Sequence, residues 1–251
     1  MARQESYIKL KGKIGDLTFF KTRNGYQVRE AKGIDPERIA TDPRFQRTRE
    51  NGAEFRRGIA AGKLLRMAIR PVILMDADAG MANRLTSRMM RILQEDAVND
   101  RGERRVLGDN IGLLKGFNFN GNAQLANTLF VESAATIDRA TGILQVALPA
   151  FDPKTRLVAP KGTTHFQFQA VGVSVDFDAD THVMEVTEGP VLPLGESVAA
   201  TELEVKLPAE GTAPLLLIFG IDFLQEVKNG KTFPLQNGAF NVLMVMEVNG
   251  E

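Results

Sequence analysis

Near Phe117 the spacing of apolar residues changes from a helical period to a two-residue one, and that switch sets what the chain can fold into. Beyond it the candidate strands are Leu129–Val131, Ile143–Leu148, His165–Phe177, Val183–Val186, Leu203–Leu207, Leu215–Val227, Thr232–Leu235 and Phe240–Val248. Turn signals separate them: 138–142 (DRATG), Asn229-Gly230 and Asn237-Gly238. Many short strands with regular turns predict an antiparallel β-sandwich, Ig-like or jelly-roll-like. In Phe166, Phe168, Ala170, Val171, Val173, Val175 and Phe177 the alternation slips once, near Ala170-Val171, where the sequence predicts a bulge.

The front half reads differently. Ile8, Leu10 and Ile14 share one parity and Lys9, Lys11 and Lys13 the other, as in a strand with one greasy and one wet face. Gly15-Asp16 and Asn24-Gly25 are turn signals, with Leu17, Phe19, Tyr26 and Val28 on the strands between and after them. This predicts a β-ribbon arm over residues 1–33. Such a ribbon buries little by itself, so it lies either on its own domain or on a neighbouring copy. Asp42-Pro43 opens a helix running towards Ile69, before Pro71. Phe45, Phe55, Ile59 and Leu65 supply its expected apolar stripe, and Gly52, Gly58 and Gly62 mark either a kink or a close approach of another backbone. A second helix spans roughly 81–97, with Leu85, Met89, Ile92 and Leu93 on one side and Arg84, Arg88 and Arg91 on another. The fold class is therefore α+β. Ribbon arm 1–33 and basic helical region 34–115 precede an acidic sandwich over 116–251, and the polar segment 99–108 forms the boundary.

The 251 residues carry zero net charge, but unevenly. Residues 1–115 hold 24 Lys and Arg against 15 Asp and Glu; residues 116–251 hold 7 against 16. A split of this kind suits a basic half that binds nucleic acid, or a basic end that docks on the acidic end of the next copy. The chain has no cysteine, which excludes a disulfide scaffold, thiolate metal sites and a cysteine nucleophile. The start, MARQESYIKLKGK, lacks the apolar stretch of a secretory signal, and the longest apolar run, 214–221, is too short to cross a membrane. A soluble, cytoplasmic protein is the expectation.

Little in the sequence points to catalysis. His165 and His182 fall in or beside strands, with neither a G-x-S-x-G elbow nor an H-E-x-x-H helix. Residues 58–64 (GIAAGKL) imitate a phosphate loop but have three residues between the glycines and Leu64 where Ser or Thr would hold magnesium. Asp176, Asp178 and Asp180 alternate as weak metal candidates; the glycine and glutamate of a calcium loop are absent, and a docking contact for a basic patch is the favoured reading. Arginines 44, 47, 49, 56, 57, 66 and 70 spread round the first helix without a stripe, and exposed aromatics for base stacking are few.

Two stretches, 9–19 (KLKGKIGDLTF) with 25–30 (GYQVRE) and 42–55 (DPRFQRTRENGAEF), together with 163–166 and 220–223, carry a resemblance to a family of bacterial proteins of about this length. That resemblance implies no activity, cofactor or catalytic set. The expectation is a non-catalytic structural protein without cofactor that self-assembles head-to-tail into a filament, tube or phage-like particle. Ile8, Leu10, Phe19, Tyr26, Arg44, Arg47, Arg56, Arg57, Asp176, Asp178 and Asp180 form its interface, and its partners are other copies of itself. A β-sandwich module binding nucleic acid, carbohydrate or protein is the alternative; a hydrolase built round His165 or His182 ranks last.

Overall fold

The computed structural model describes residues 2–30, 34–227 and 230–250. The chain divides into two compact units, Met1–Asn51 and Gly52–Glu251.

The first unit begins with a four-stranded antiparallel ribbon: β1 (Ala2–Arg3), β2 (Gly12–Ile14), β3 (Leu17–Thr22) and β4 (Gly25–Glu30), in the order β1-β4-β3-β2. The expected first strand is shorter than its alternation suggests. Ile8 and Leu10 lie outside any strand and stand exposed, and pairing begins only at Gly12. The 22–25 hairpin also differs from the primed turn that Asn24-Gly25 suggests. Thr22 pairs with Gly25, Asn24 keeps a negative φ, and Gly25 alone takes the left-handed region at φ +97. Thr22 replaces the missing geometry by accepting from the Asn24 N–H and donating to the Gly25 carbonyl. A short helix, α1 (Pro36–Thr41), follows; Asp35 caps it by accepting from the Glu37 N–H. Asp42 then caps a 3-10 turn, Pro43–Phe45, that leads into α2 (Gln46–Ala68).

In the second unit α2 continues into α3 (Arg70–Asp76), where Pro71 opens a new helix instead of merely ending the old one. Then come α4 (Met81–Gln94), α5 (Leu125–Thr128), β5 (Ala134–Asp138), β6 (Ile143–Leu148), α6 (Pro153–Arg156), β7 (His165–Asp176), β8 (Thr181–Pro193) and β9 (Thr201–Lys206). The last strands are β10 (Leu215–Val227), β11 (Lys231–Pro234) and β12 (Val242–Asn249). The strands make a five-stranded antiparallel sheet, β11-β10-β7-β8 with β12 also on β10, and a three-stranded sheet, β5-β6-β9. The α+β class and the sandwich-like β region thus match the sequence pattern. Leu129 contributes only an isolated bridge to Leu157, and β5 has no counterpart among the expected strands.

Two cores lie on opposite sides of the five-stranded sheet. One joins Leu65, Ile69, Leu85, Met89, Ile92 and Leu93 of the helices to Val171, Val173, Leu216, Ile218 and Val245. The other joins Phe166, Phe168, Ala170, Leu217, Phe219 and Phe223 to Leu144, Val146, Leu203 and Val205 of the smaller sheet. This explains the slip in β7. Even residues up to Ala170 face the sheet-on-sheet core and odd residues from Val171 face the helices, so the pleat is unbroken and both faces are buried. The irregularity sits earlier, between Gln167 and Gln169 against β8.

The helix faces also need correction. On α2 the buried side is Glu54, Gly58, Ala61, Gly62, Leu64, Leu65 and Ala68, while Phe55 and Ile59 are exposed. The two glycines decide this. A Cβ on Gly58 would lie 2.4 Å from Met90 Sδ, and one on Gly62 3.7 Å from Met89 Cγ, so α4 packs directly over them. That is the close-approach reading, and it turns the larger apolar residues outward. On α4 the sequence pattern holds: Leu85, Met89, Ile92 and Leu93 are fully buried.

Candidate functional site

Among the described residues 2–50, none is buried. Tyr7, Ile8, Ile14 and Leu17 are exposed, at 106%, 73%, 60% and 43%. Phe19 and Tyr26 are half-buried on one ribbon face, where Lys21 Nζ sits 5.5 Å from the Tyr26 ring centre; Arg29 covers Phe20 on the other face at 5.4 Å. A surface this apolar, backed by no core, has few buried contacts to offset the entropy of ordering it.

The arginines behave unlike the expected patch. Arg44 pairs with Asp42 at 2.9 Å and Arg47 with Glu50 at 3.0 Å. Arg57 reaches across to the 102–104 loop, donating to the carbonyls of Gly102 and Arg104 and pairing with Glu103. Buried Glu54 fixes the same loop by accepting from the Gly102 N–H. Arg56 is exposed and has no partner among the described residues. Of the arginines expected at the interface, Arg44, Arg47 and Arg57 are engaged in local structure.

Asp176, Asp178 and Asp180 do not share a strand face. Asp176 ends β7 and accepts from the Asp178 and Ala179 N–H groups; Asp178 and Asp180 lie in the turn to β8, with Asp180 at φ +56. Arg105 lies 3.5 Å from Asp178, an exposed pair of small energetic weight. Among the described residues no group of three metal-binding side chains converges. With Glu185 and Glu188, the segment 176–188 carries five carboxylates and no Lys or Arg, and runs from the end of β7 through the turn onto β8, the strand at the rim of its sheet.

His165 Nδ1 lies 3.0 Å from Thr164 Oγ1 and 4.0 Å from the Glu226 carboxylate. His182 pairs with Val175, ten residues along β7, which puts the histidines about 33 Å apart on the strand. They do not form one site. Residues 58–64 lie inside α2, so no phosphate loop exists there.

The most constructed polar site is one that sequence reasoning missed. Asp76, at the end of α3, is 1% exposed and faces Asp222 on β10. Gln169 Nε2 donates to Asp76 Oδ2 at 3.0 Å and to both Asp222 oxygens at 3.3 Å. Asn241 Nδ2 donates to Asp76 Oδ1 at 2.9 Å and to Asp222 Oδ1 at 2.8 Å, while Asn241 Oδ1 accepts from the Phe223 N–H. Asn120 Nδ2 in turn holds the Asn241 carbonyl at 2.8 Å. Gly220 makes room: a Cβ there would lie 2.6 Å from Gln169 Cγ. Burial pushes both carboxyls up, Asp76 to about 6 and Asp222 to about 8, the latter also repelled by Asp76 and Glu188. Two carboxyls this close keep a proton between them, and the protonated Asp222 donates to Asp76. The sequence signal was an aspartate interrupting the run Leu215–Leu224, whose neighbours bury both strand faces. Asp76 is shielded from solvent while Asp222 is half-buried, and the pair ties α3 to the sheet.

Among the described residues no helix is long and apolar enough to cross a membrane. No protein-family model, no curated protein and no solved structure matches this chain, so the family resemblance of its motifs gains no support and the reading of function rests on geometry and charge alone.

Proposed function

We propose that this chain is a non-catalytic structural protomer that associates with copies of itself head-to-tail, the N-terminal ribbon of one copy docking on the acidic β7–β8 hairpin of the next. The observation that carries this reading is the ribbon itself, an apolar and basic surface with no buried residue. Residues 2–30 hold seven Lys and Arg against three Asp and Glu, and the hairpin 176–188 holds five acids and no Lys or Arg. Opposite patches of this size favour docking and set its direction. Val183, Val186 and Val191 are exposed on β8 and give the apolar ribbon residues something to cover. The exposed Phe55, Ile59 and Met67 of α2 would supply a further contact in a filament, tube or shell.

The test is a charge swap read by light scattering and negative-stain microscopy. Lys9, Lys11 and Lys13 changed to Glu should abolish assembly at low salt. Combining them with Asp178→Lys, Glu185→Lys and Glu188→Lys should restore it. Assembly untouched by the first set, or a wild-type chain that stays monomeric at high concentration and low salt, removes the proposal.

A further inference from the structure

We propose that the cleft between α4 and the 116–124 loop is a binding site for a small, multiply charged oxyanion of the phosphate or pyrophosphate type. The cleft has a volume of about 650 Å³ and is open to solvent. Its frame is an ion pair. Arg84 grips Asp78 with two nitrogens, at 2.9 and 2.6 Å, and the same guanidinium donates to the carbonyls of Asn118 and Phe119. Asp78 also accepts from the N–H groups of Gly80 and Gly121, and these bonds, the Arg84 contact foremost, hold its carboxyl far below the usual range. Asp78 is therefore an anion whose charge Arg84 cancels, and its acceptor capacity is spent on building the walls.

What remains in the cleft is positive. Arg88 has one donor on the Leu113 carbonyl at 2.8 Å and the rest of its fork unused; Arg91, one turn along, is exposed with no partner among the described residues. Ser87, Asn122 and Gln124 line the same space, and among the described residues no hydrogen bond engages their side-chain polar groups. Among the described residues no carboxylate other than Asp78 lines it. Two guanidinium groups on adjacent turns, flanked by hydroxyl and amide donors on a loop already fixed by Arg84, present a preorganised set for a compact dianion. Phe117 is buried, so no exposed ring offers a base-stacking platform, which points to the anion itself as the ligand rather than a nucleobase. This site is independent of the assembly surface.

The test is calorimetric titration of the full chain with sodium pyrophosphate, inorganic phosphate and succinate at constant low ionic strength. Saturable one-site binding of pyrophosphate is expected, weaker with phosphate and weakest with succinate. Arg91→Gln should weaken it about tenfold or more, and Arg88→Gln with Arg91→Gln should abolish it. Arg91→Lys should recover part of the affinity. The Arg91 side chain makes no bond to a described residue, so its variants keep the fold, which thermal melting checks. Absence of binding, or binding that the double variant leaves intact, overturns the proposal.

Discussion

Replacing Asp222 by Asn should change how stability depends on pH. In the folded chain burial lifts Asp76 and Asp222 from the ordinary 3.8 to about 6 and about 8. The folded protein therefore holds protons between pH 4 and 8 that the unfolded chain has lost. Stability from this pair is full below pH 3.8 and is lost as pH rises through the folded values. The proton kept by Asp222 alone sets an upper bound of about 5 kcal/mol across that window, and relaxation around the pair brings the expected loss to about 2–4 kcal/mol. In Asp222→Asn the new amide still accepts from Gln169 and Asn241 and donates permanently to Asp76, which is then a lone carboxylate with three amide donors. Urea unfolding followed by circular dichroism from pH 4.5 to 8.5 should give a falling curve for the wild type and a shallower one for the variant, in which Asp76, still lifted by burial, titrates alone and levels the curve above about pH 6. The variant should be the more stable by about 1–3 kcal/mol at pH 8.5. The lowered carboxyls of Asp78 and Asp96 titrate below this window and cancel in the comparison. Parallel curves for the two proteins would refute the shared proton.

Gly220→Ala should push Gln169 away from both carboxyls and destabilise the chain by about 2–4 kcal/mol; because the Gln169 amide holds both carboxyls down, its loss should also steepen the fall of stability with pH, measured by the same titrations. Gly142→Ala should cost at least as much, because φ is +74 there and a Cβ would lie 2.1 Å from the Leu207 carbonyl oxygen; a fall in the thermal midpoint checks it. For the assembly, raising salt from 50 to 500 mM should shorten or dissolve it if the ribbon and hairpin meet through charge, as light scattering would record.

Much of the fold was legible because strands and helices advertise their period. Six of the strands after Phe117 fall within a few residues of their apolar runs, β8 runs on past its expected end at Val186 to Pro193, and α4 buries the face its pattern names. The errors share a physical origin. Phe55 and Ile59 were assigned to a core because they are large, whereas the contact with α4 runs through Gly58 and Gly62, whose importance lies in what they leave out. Ile8 and Leu10 alternate like a strand yet do not pair, since a local pattern carries no information about a hydrogen-bonding neighbour. The Asp76–Asp222 pair was invisible for a related reason. Its members come from a helix end and a strand 146 positions apart, and only the tertiary fold brings them together with Gln169 and Asn241.

The five-stranded sheet is clad on both sides, and that limits where the chain is free to change. A polar or oversized replacement in the middle of β7 or β10 has no wet side to turn towards, whichever parity it occupies. Variation compatible with a folded chain is thereby steered to the periphery: the rim strand, the connecting loops, the outward rows of the helices and the leading fifty residues. New binding behaviour can arise there without disturbing the interior.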